Sequence, residues 1–380
     1  MALHVGLNLV FLVPGETGGM ETYARELIPA LRAQRPDLRL TAFVSREAAV
    51  VAGPWTELVD QVTVPVCARN RVEWVRGEQQ LLPCLARRAG VDVLHSLAST
   101  APAWGRFRRV VTVHDLHYRL APQAHAGALS LGMRVLVPLA ARRSDRVIAI
   151  SQATAMDVRR HLRVADERLD VVPQGVGASP AVAPEPEAAL RARHALGERT
   201  VVLSASAKRP HKNLLRLLEA LALMPERRRP VVVLPGYPTA HERELHERAV
   251  ALGVDGDVRF LGWLAGAELE GLYALAAAFV FPSLHEGFGL PVLEAMLRGV
   301  PVACSDASSL PEVAGDAALL FPPQDPAAIA AAIERLLSDA ALADRLRAAG
   351  RERAARFSWA ATARGTAASY ERAARPSSPR

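Results

Sequence analysis

Two glutamates eight residues apart, Glu286 and Glu294, flank a Gly-Phe-Gly turn in the stretch HEGFGLPVLEAM. A strand-like run, AAAFVFPS, precedes the turn, Pro291 suits the first position of a following helix, and Gly299 can end that helix. The N–H groups at such a helix start attract an anion such as a phosphate. Carboxylates beside it can accept hydrogen bonds from the vicinal hydroxyls of a ribose or a hexose. The alternative is a solvated loop glutamate and a charge favoured by the helix dipole.

A second candidate site is the stretch KRPHKN, residues 208–213. Of 46 basic residues, 44 are arginine, and both lysines, Lys208 and Lys212, lie here. A strand-like VVLSAS precedes the stretch, and a leucine-rich helix follows it with Asn213 as its expected N-cap. Lys208, Arg209 and Lys212 can therefore hold a diphosphate and offset the charge on a leaving group. The alternative is a solvated basic loop.

The first half of the chain offers two weaker patterns. Gly15, Gly18 and Gly19 precede a helical pattern without forming a GxGxxG fingerprint, and they predict a loop that closes over a ligand. His114 and Asp115 end a buried strand in VVTVHDLHY, where a side chain can enter a ligand cleft. A lone histidine at that position is as often structural as functional.

Metal chemistry is not expected. Asp255 and Asp257 have the DxD spacing of metal-dependent sugar transferases, but they precede a strand and are typical of a tight turn. Cys67, Cys84 and Cys304 are odd in number and lack metal-ligand spacing, which indicates a reducing compartment. We expect no metal and no other cofactor.

The elements that must position these residues follow one pattern. Short apolar runs without polar alternation alternate with amphipathic helical stretches, which predicts parallel sheets covered by helices. The expected fold class is α/β with two doubly wound, Rossmann-like domains that face a central cleft. The expected boundaries are a first domain at 1–177, a linker at 178–188, a second domain at 189–355, a C-terminal helix at 356–372 that packs back on the first domain, and a disordered tail at 373–380.

Composition restricts the class of protein. With 380 residues, 50% hydrophobic and 22% charged, the chain is globular and long enough for two domains. Its start lacks a basic n-region, and no apolar run of about 18 residues occurs, so neither a signal peptide nor a transmembrane helix is expected. The net charge of +7 admits anionic partners. The arginines are dispersed, which argues against a nucleic-acid footprint. We expect a cytoplasmic protein.

Several stretches together resemble the retaining glycosyltransferases of family four, which have the GT-B fold. EGFGLPVLEA is similar to their E-x7-E signature, and GGMETYARELI, TVHDL, VIAISQAT, HKNLLRLLEAL, VRFLGW and SSLPEVAGDAALLFPP resemble other family blocks in the expected order. The resemblance covers nearly the whole chain. It implies an acceptor-side first domain and a second domain that binds a nucleotide-sugar donor.

The resemblance also implies roles for residues of the second domain. Glu286 would bind hydroxyls of the donor sugar, Glu294 would hold the nucleotide ribose, and Lys212 would bind the donor diphosphate. The backbone near sugar and phosphate would be that of Phe288, Gly289 and Leu290.

In the first domain, Gly18 and Gly19 would form a mobile loop near donor and acceptor, and His114 would face the reacting sugar. Two positions depart from the family pattern. Ala207 occupies the usual arginine position of the basic pair, so one of the two basic residues after it must supply the second charge. Gln174 stands where the family has asparagine.

The blocks most resemble bacterial mannosyltransferases that use GDP-mannose. The implied reaction is metal-independent transfer, with retention of configuration, of a hexose to a glycan or lipid-linked acceptor in cell-surface polysaccharide or glycoconjugate synthesis. UDP- and dTDP-sugar donors stay open, as do an epimerase or phosphorylase and a non-catalytic nucleotide- or nucleic-acid-binding protein. Basic and aromatic residues in 67–88 can place the first domain on an anionic inner membrane face, or form a solvated helix.

Overall fold

The chain folds into two compact units. The first unit contains residues 1–175 and 357–380, and the second contains residues 176–356. The computed structural model describes these residues: 2–120, 128–177, 182–264 and 266–375.

The first unit is built on a parallel sheet of seven strands in the order β3-β2-β1-β4-β5-β6-β7. The strands are β1 His4–Leu9, β2 Arg39–Val44, β3 Asp60–Thr63, β4 Val93–Ser96, β5 Arg108–Val113, β6 Arg146–Ala149 and β7 Leu169–Val171. All six residues of β1 are buried, as expected for a strand covered by helices on both faces. The strand order reverses between β1 and β4, so their carboxyl ends mark the expected ligand edge of this sheet.

Helices cover the first sheet. They are α1 Gly19–Gln34, α2 Arg46–Ala49, α3 Pro54–Glu57, α4 Arg71–Arg76, α5 Leu82–Arg88, α6 His117–Leu120, α7 Ala128–Arg143 and α8 Gln152–Asp157. Helix α1 buries Tyr23, Leu27 and Leu31, the face that its apolar periodicity predicts. A π-helical turn, Gly77–Leu81, joins α4 to α5.

The second unit has a parallel sheet of six strands in the order β10-β9-β8-β11-β12-β13. The strands are β8 Val201–Leu203, β9 Val231–Pro235, β10 Val258–Leu261, β11 Ala278–Phe281, β12 Val302–Ser305 and β13 Ala318–Phe321. Here the order reverses between β8 and β11. The loops that follow these two strands therefore lie side by side at the carboxyl edge of the sheet.

The helices of the second unit are α9 Glu187–Arg193, α10 Leu214–Leu223, α11 His241–Ala251, α12 Ala267–Leu275, α13 Leu290–Leu297, α14 Leu310–Ala314, α15 Pro326–Ser338 and α16 Ala340–Ala355. Asn213 is the N-cap of α10, as predicted, but its side chain does not cap the helix. Its amide nitrogen instead donates to the carbonyl oxygens of Pro282 (2.9 Å) and Pro323 (2.6 Å), which ties the loop after β8 to its neighbours.

The last helix, α17 Trp359–Ala374, returns to the first unit and packs against α1. Tyr370 is fully buried there, and its hydroxyl lies 2.7 Å from Nδ1 of His95 on β4. At the surface, Arg35 and Glu371 form an ion pair of 2.6 Å. The C-terminal segment is therefore part of the first unit's core.

The prediction of an α/β fold with two doubly wound domains is confirmed. The boundaries differ in detail. Helix α9 begins inside the predicted linker, whose residues 178–181 lie outside the described residues, and α17 continues to Ala374, inside the predicted tail. Residues 376–380 of that tail also lie outside the described residues. Across the described part of the chain, every helix is too short or too polar to span a bilayer.

Candidate active site

The centre of the second unit's carboxyl edge is an ion pair between Lys212 and Glu286. Lys212 ends a 3-10 turn after β8, and Glu286 lies in the loop after β11, so each follows one of the two strands at the reversal. The Lys212 Nζ lies 2.6 Å from Glu286 Oε1 and 5.1 Å from the centre of the Phe281 ring. The two side chains are 15% and 10% exposed. The sheet topology thus brings together the two stretches that the sequence singled out separately.

The loop carrying Glu286 is held by hydroxyl groups. Ser308 donates to the Glu286 carbonyl (2.7 Å), and Ser309 donates to the carbonyls of Glu286 (3.0 Å) and Phe288 (2.7 Å). Gly289 follows with φ 113°, and a Cβ there would lie 2.6 Å from Leu310 Cδ2. Only glycine fits this position, because an L side chain would be strained and would also clash. Helix α13 begins at the next residue, Leu290, in the same loop that carries Glu286.

Glu294 lies about one turn into α13 and is partly exposed. The Tyr273 hydroxyl donates to Glu294 Oε2 over 3.4 Å. Arg298 lies 4.6 Å from the Tyr273 ring centre and donates to Glu270 (2.9 Å). Burial raises the pKa of Glu294, and the nearby Arg298 guanidinium opposes the rise. Glu294 therefore has a different set of partners from Glu286.

Lys208, which the sequence predicts as a donor-binding residue, has its side chain turned into the protein. Its side chain is fully buried, and its Nζ donates to the carbonyls of Gly236 (2.9 Å) and Leu261 (2.5 Å) and lies 3.5 Å from Glu242. An ammonium group has three donors, and these partners account for all of them. Burial lowers the pKa of Lys208, and Glu242 opposes that effect. Lys208 thus holds the ends of β9 and β10 together, whereas Arg209, beside it, is exposed.

The loops that Lys208 ties carry an aromatic pair that sequence reasoning missed. Tyr237 follows β9 and Trp263 follows β10, and their rings stack with centres 5.9 Å apart and planes inclined by 22°. The side chains are exposed, Trp263 by 57%. The only sequence signal for this pair was the tryptophan just after the strand in VRFLGW. The stacking itself depends on β9 and β10 being neighbours in the sheet.

In the first unit, the predicted glycine loop follows β1 at the strand reversal. Gly18 has φ 61° and precedes α1, and a Cβ at Gly18 or Gly19 would meet no atom within 4 Å. Glu21 closes the loop from the first turn of α1, because its carboxylate accepts hydrogen bonds from the backbone N–H of Gly15 (2.7 Å) and from Arg25 Nε (2.9 Å). The loop therefore presents open backbone at the end of β1.

His114 directly follows β5, and its ring is buried. The ring Nε2 lies 2.7 Å from the Leu97 carbonyl oxygen, and Nδ1 lies 3.1 Å from the amide nitrogen of Gln174. Asp115 accepts from the His117 backbone N–H (2.9 Å), and its pKa is depressed well below the ordinary range by His117 against the effect of burial. The sequence marked Gln174 only as a departure from a family pattern, and the structure shows that it contacts His114.

The DxD spacing has a structural explanation. Asp255–Asp257 forms a 3-10 turn before β10. The Asp257 carboxylate pairs with Arg199 at 2.6 Å and with Arg229 at 3.6 Å. In the described stretches of the chain, no group of three or more histidine, cysteine or acidic side chains is arranged to hold a metal ion.

Comparison with known proteins decides the family. The model "Glycosyl transferases group 1" matches residues 187–353, and "Glycosyltransferase Family 4" matches residues 17–179. A D-inositol 3-phosphate glycosyltransferase of Streptomyces bingchenggensis is 30% identical over 95% of this chain and 86% of its own length. The chain belongs to the group 1 glycosyltransferases.

This glycosyltransferase is also similar to proteins named for mannose transfer. It is 43% identical to O-antigen chain mannosyltransferase B of Escherichia coli over 40% of each chain. Across five matching mannosyltransferases, the alignments span 31% to 55% of the relative's length.

The glycosyltransferase fold is shared with solved structures. A sucrose-phosphate synthase from Thermosynechococcus elongatus superposes with a TM-score of 0.78 at 23% identity, covering 97% of this chain and 98% of the other. This likeness confirms the predicted GT-B fold class. The predicted glycosyltransferase class is supported by the family matches and by the relative that aligns over most of both chains.

Proposed function

We propose that this glycosyltransferase moves mannose from GDP-mannose to a glycan or lipid-linked acceptor, with retention of configuration and without a metal ion. The observation that carries the proposal is the Lys212–Glu286 pair at the strand reversal of the second unit. It offers a cation for a diphosphate and a carboxylate for sugar hydroxyls in one place. The mannose assignment is supported by the names of the mannosyltransferases that the chain resembles.

Each residue of the second unit has a task in this proposal. Lys212 turns from Glu286 toward the donor diphosphate and stabilises the charge of the departing nucleotide, with exposed Arg209 as the second cation. Glu286 then accepts hydrogen bonds from the sugar hydroxyls, next to the backbone of Phe288, Gly289 and Leu290. Glu294, supported by Tyr273, holds the ribose hydroxyls. Most of the rate comes from positioning and from charges already in place.

The stacked aromatic pair supports the nucleotide part of the proposal. Tyr237 and Trp263 follow strands on the same carboxyl edge of the sheet as Lys212. An exposed aromatic face can stack on a nucleobase, a contact worth about 1–3 kcal/mol per base in nucleic-acid complexes. We therefore assign the pair to the base of the donor. Trp263→Ala should weaken binding of GDP and GDP-mannose together, which isothermal calorimetry can measure.

In the first unit, we propose that His114 and the loop with Gly18 and Gly19 are the parts that contact the sugars. The product belongs to cell-surface polysaccharide or glycoconjugate synthesis, and the protein works in the cytoplasm. Contact with an anionic membrane face would be electrostatic. Arg71, Arg76, Arg87 and Arg88 are exposed, and Val72 is 79% exposed, whereas Trp74 is buried in the core. Co-sedimentation with anionic and with neutral vesicles tests this contact.

The decisive experiment is a thermal-shift panel of GDP, UDP, dTDP and ADP sugars, followed by product analysis with the best donor. GDP-mannose should stabilise the protein most, by binding the folded state. The product should keep the donor's anomeric configuration, and EDTA should leave the rate unchanged. If no nucleotide sugar stabilises the protein, the proposal fails. Turnover of the donor without any acceptor would point to an epimerase.

A second acceptor class has its own support. Relatives that align over most of both chains are named D-inositol 3-phosphate glycosyltransferases. A phosphorylated cyclitol therefore belongs in the acceptor panel beside mannosyl glycans, and a UDP-sugar belongs in the donor panel. Transfer to inositol phosphate at a higher kcat/KM than to any mannosyl glycan would replace the proposed acceptor.

A further inference from the structure

The protonation state of His114 can be read from its two ring contacts. The Leu97 carbonyl oxygen can only accept a hydrogen bond, so Nε2, at 2.7 Å, must carry a proton. In a neutral imidazole the other nitrogen is then a lone-pair acceptor. The Gln174 side chain must therefore present its NH2 group to Nδ1, over 3.1 Å.

The surroundings favour the neutral ring. Burial lowers the pKa of His114. Tyr23 on α1 meets the ring edge-on at 5.0 Å, and His95 on β4 has its own pKa lowered to about 3 by burial. The hydrogen bond to the Leu97 carbonyl and the Asp115 carboxylate both favour the charged ring, and Asp115 is itself engaged by His117. On α8, the Thr154 hydroxyl donates to the His114 carbonyl over 3.4 Å.

Gln174 is buried, and the residues on both sides of it are packed against the start of α17. It is 3% exposed, and the carbonyl of its neighbour Pro173 accepts a hydrogen bond from Thr362 of α17 (2.8 Å). On its other side, a Cβ added to Gly175 would lie 2.3 Å from the backbone nitrogen of Trp359. The Trp359 ring in turn contacts Tyr23, with centres 5.7 Å apart. The amide of Gln174 and the edge of Tyr23 thus fix the His114 ring from two directions.

We propose that Gln174 is a positioning residue that keeps His114 neutral, protonated at Nε2 and with the Nδ1 lone pair available as an acceptor. A sugar hydroxyl that reaches the ring donates to Nδ1 in place of the Gln174 amide. His114 then orients the sugar and does not act as an acid. This inference rests on the proposed function for its consequence in catalysis, but the state of the ring is independent of any substrate.

The first test uses the free protein with ¹⁵N-labelled histidine, and His114→Asn identifies the His114 signals. The wild type should show a protonated Nε2 and an unprotonated Nδ1 through the ordinary histidine pKa near 6.5. Gln174→Glu places a carboxylate at Nδ1, so that nitrogen should become protonated and the pKa of His114 should rise. A wild-type ring that is protonated at Nδ1, or signals that are identical in both proteins, would overturn the proposal.

The second test is the pH profile of kcat with the best donor. Gln174→Glu should lose activity as the pH falls and the His114 ring gains a proton. The wild-type rate should not change through the same pH range. Gln174→Met keeps the side-chain volume but has no donor, and its kcat should fall about 10- to 100-fold with little change in donor KM, as for a misplaced reacting group. Gln324→Glu makes the same chemical change at an exposed position and should match the wild type.

The two tests separate the two ideas. If Gln174→Glu does not fold, the comparison of wild type with Gln174→Met decides: an unchanged ¹⁵N spectrum and kcat in that variant would refute the positioning role. If no variant transfers sugar from any donor, the proposed function fails while the ring state is still measured. If transfer is normal and the wild-type His114 titrates at the ordinary pKa, only the inference about Gln174 fails.

Discussion

The Lys212–Glu286 pair allows stability and catalysis to be tested in one set of variants. Lys212→Met keeps an unbranched side chain, one atom shorter, and removes its charge. The pair is short, 2.6 Å, and its side chains are only 15% and 10% exposed, so the variant leaves a carboxylate in a poorly solvated place. Breaking such a pair costs about 3 kcal/mol of unfolding free energy, the low end of the range for buried pairs because both groups keep some contact with water.

The double variant Lys212→Met, Glu286→Gln also removes the carboxylate that Lys212→Met leaves unpaired. Its unfolding free energy should exceed that of Lys212→Met by about 2 kcal/mol, because no unpaired carboxylate is left in a poorly solvated position. Activity should not recover. Without the ammonium group, the charge on the leaving diphosphate has lost a preorganised donor, which lowers kcat by about 10²- to 10³-fold. Urea unfolding and initial rates with saturating donor measure the two effects.

A matched control distinguishes the loss of a catalytic group from the general cost of breaking a buried ion pair. Arg146 and Asp170 of the first unit form an ion pair of similar burial, 13% and 9% exposed. Arg146→Met should lower stability by less than Lys212→Met, because Arg372 also pairs with Asp170 at 2.9 Å, and it should leave kcat per folded molecule unchanged. The reasoning is refuted if Lys212→Met keeps kcat within about threefold of the wild type, since a lost leaving-group donor costs far more. It is refuted equally if the double variant is no more stable than Lys212→Met.

Three further outcomes are expected. Glu294→Gln should weaken nucleotide binding yet stabilise the fold at neutral pH. Burial raises the folded-state pKa of Glu294 above its ordinary value of 4.5, so this stabilisation should shrink as the pH falls to that value. Urea unfolding at several pH values measures the effect, and a gain in stability that is the same at every pH would contradict it. Lys208→Met should lower the free energy of unfolding by about 1–3 kcal/mol, because two buried carbonyls lose their donor. Arg209→Ala should raise the donor KM without changing the melting temperature. The reverse pattern would indicate that Lys208 is the phosphate ligand. Tyr370→Phe should lower the free energy of unfolding by about 1 kcal/mol, because the buried Nδ1 of His95 loses its partner. Tyr237→Phe, at an exposed position, should leave it unchanged. Chemical denaturation measures both, and equal stability of the two variants would contradict the assigned role of Tyr370.

Local sequence patterns were sufficient for the fold class. Apolar runs without alternation require sheets buried on both faces, and the periodicity of α1 requires one buried helix face, so the two doubly wound sheets follow from the chain alone. The same patterns placed Glu286 and Lys212 in loops after strands. Each of those inferences uses neighbours in sequence, whose geometry is set by the period of a strand or a helix.

Pairings between distant residues needed the tertiary structure. Lys208 and Lys212 look equivalent in KRPHKN, but the chain turns one ammonium group into the protein to bind two carbonyls and the other toward Glu286. The contact between Gln174 and His114 joins residues 60 positions apart, and the stacking of Tyr237 on Trp263 depends on β9 and β10 being neighbours. Composition and periodicity determine which segments become strands and helices. Only the order of the strands in the sheet and the direction of each side chain decide which charges meet, because a hydrogen bond or an ion pair depends on distances of a few tenths of an ångström.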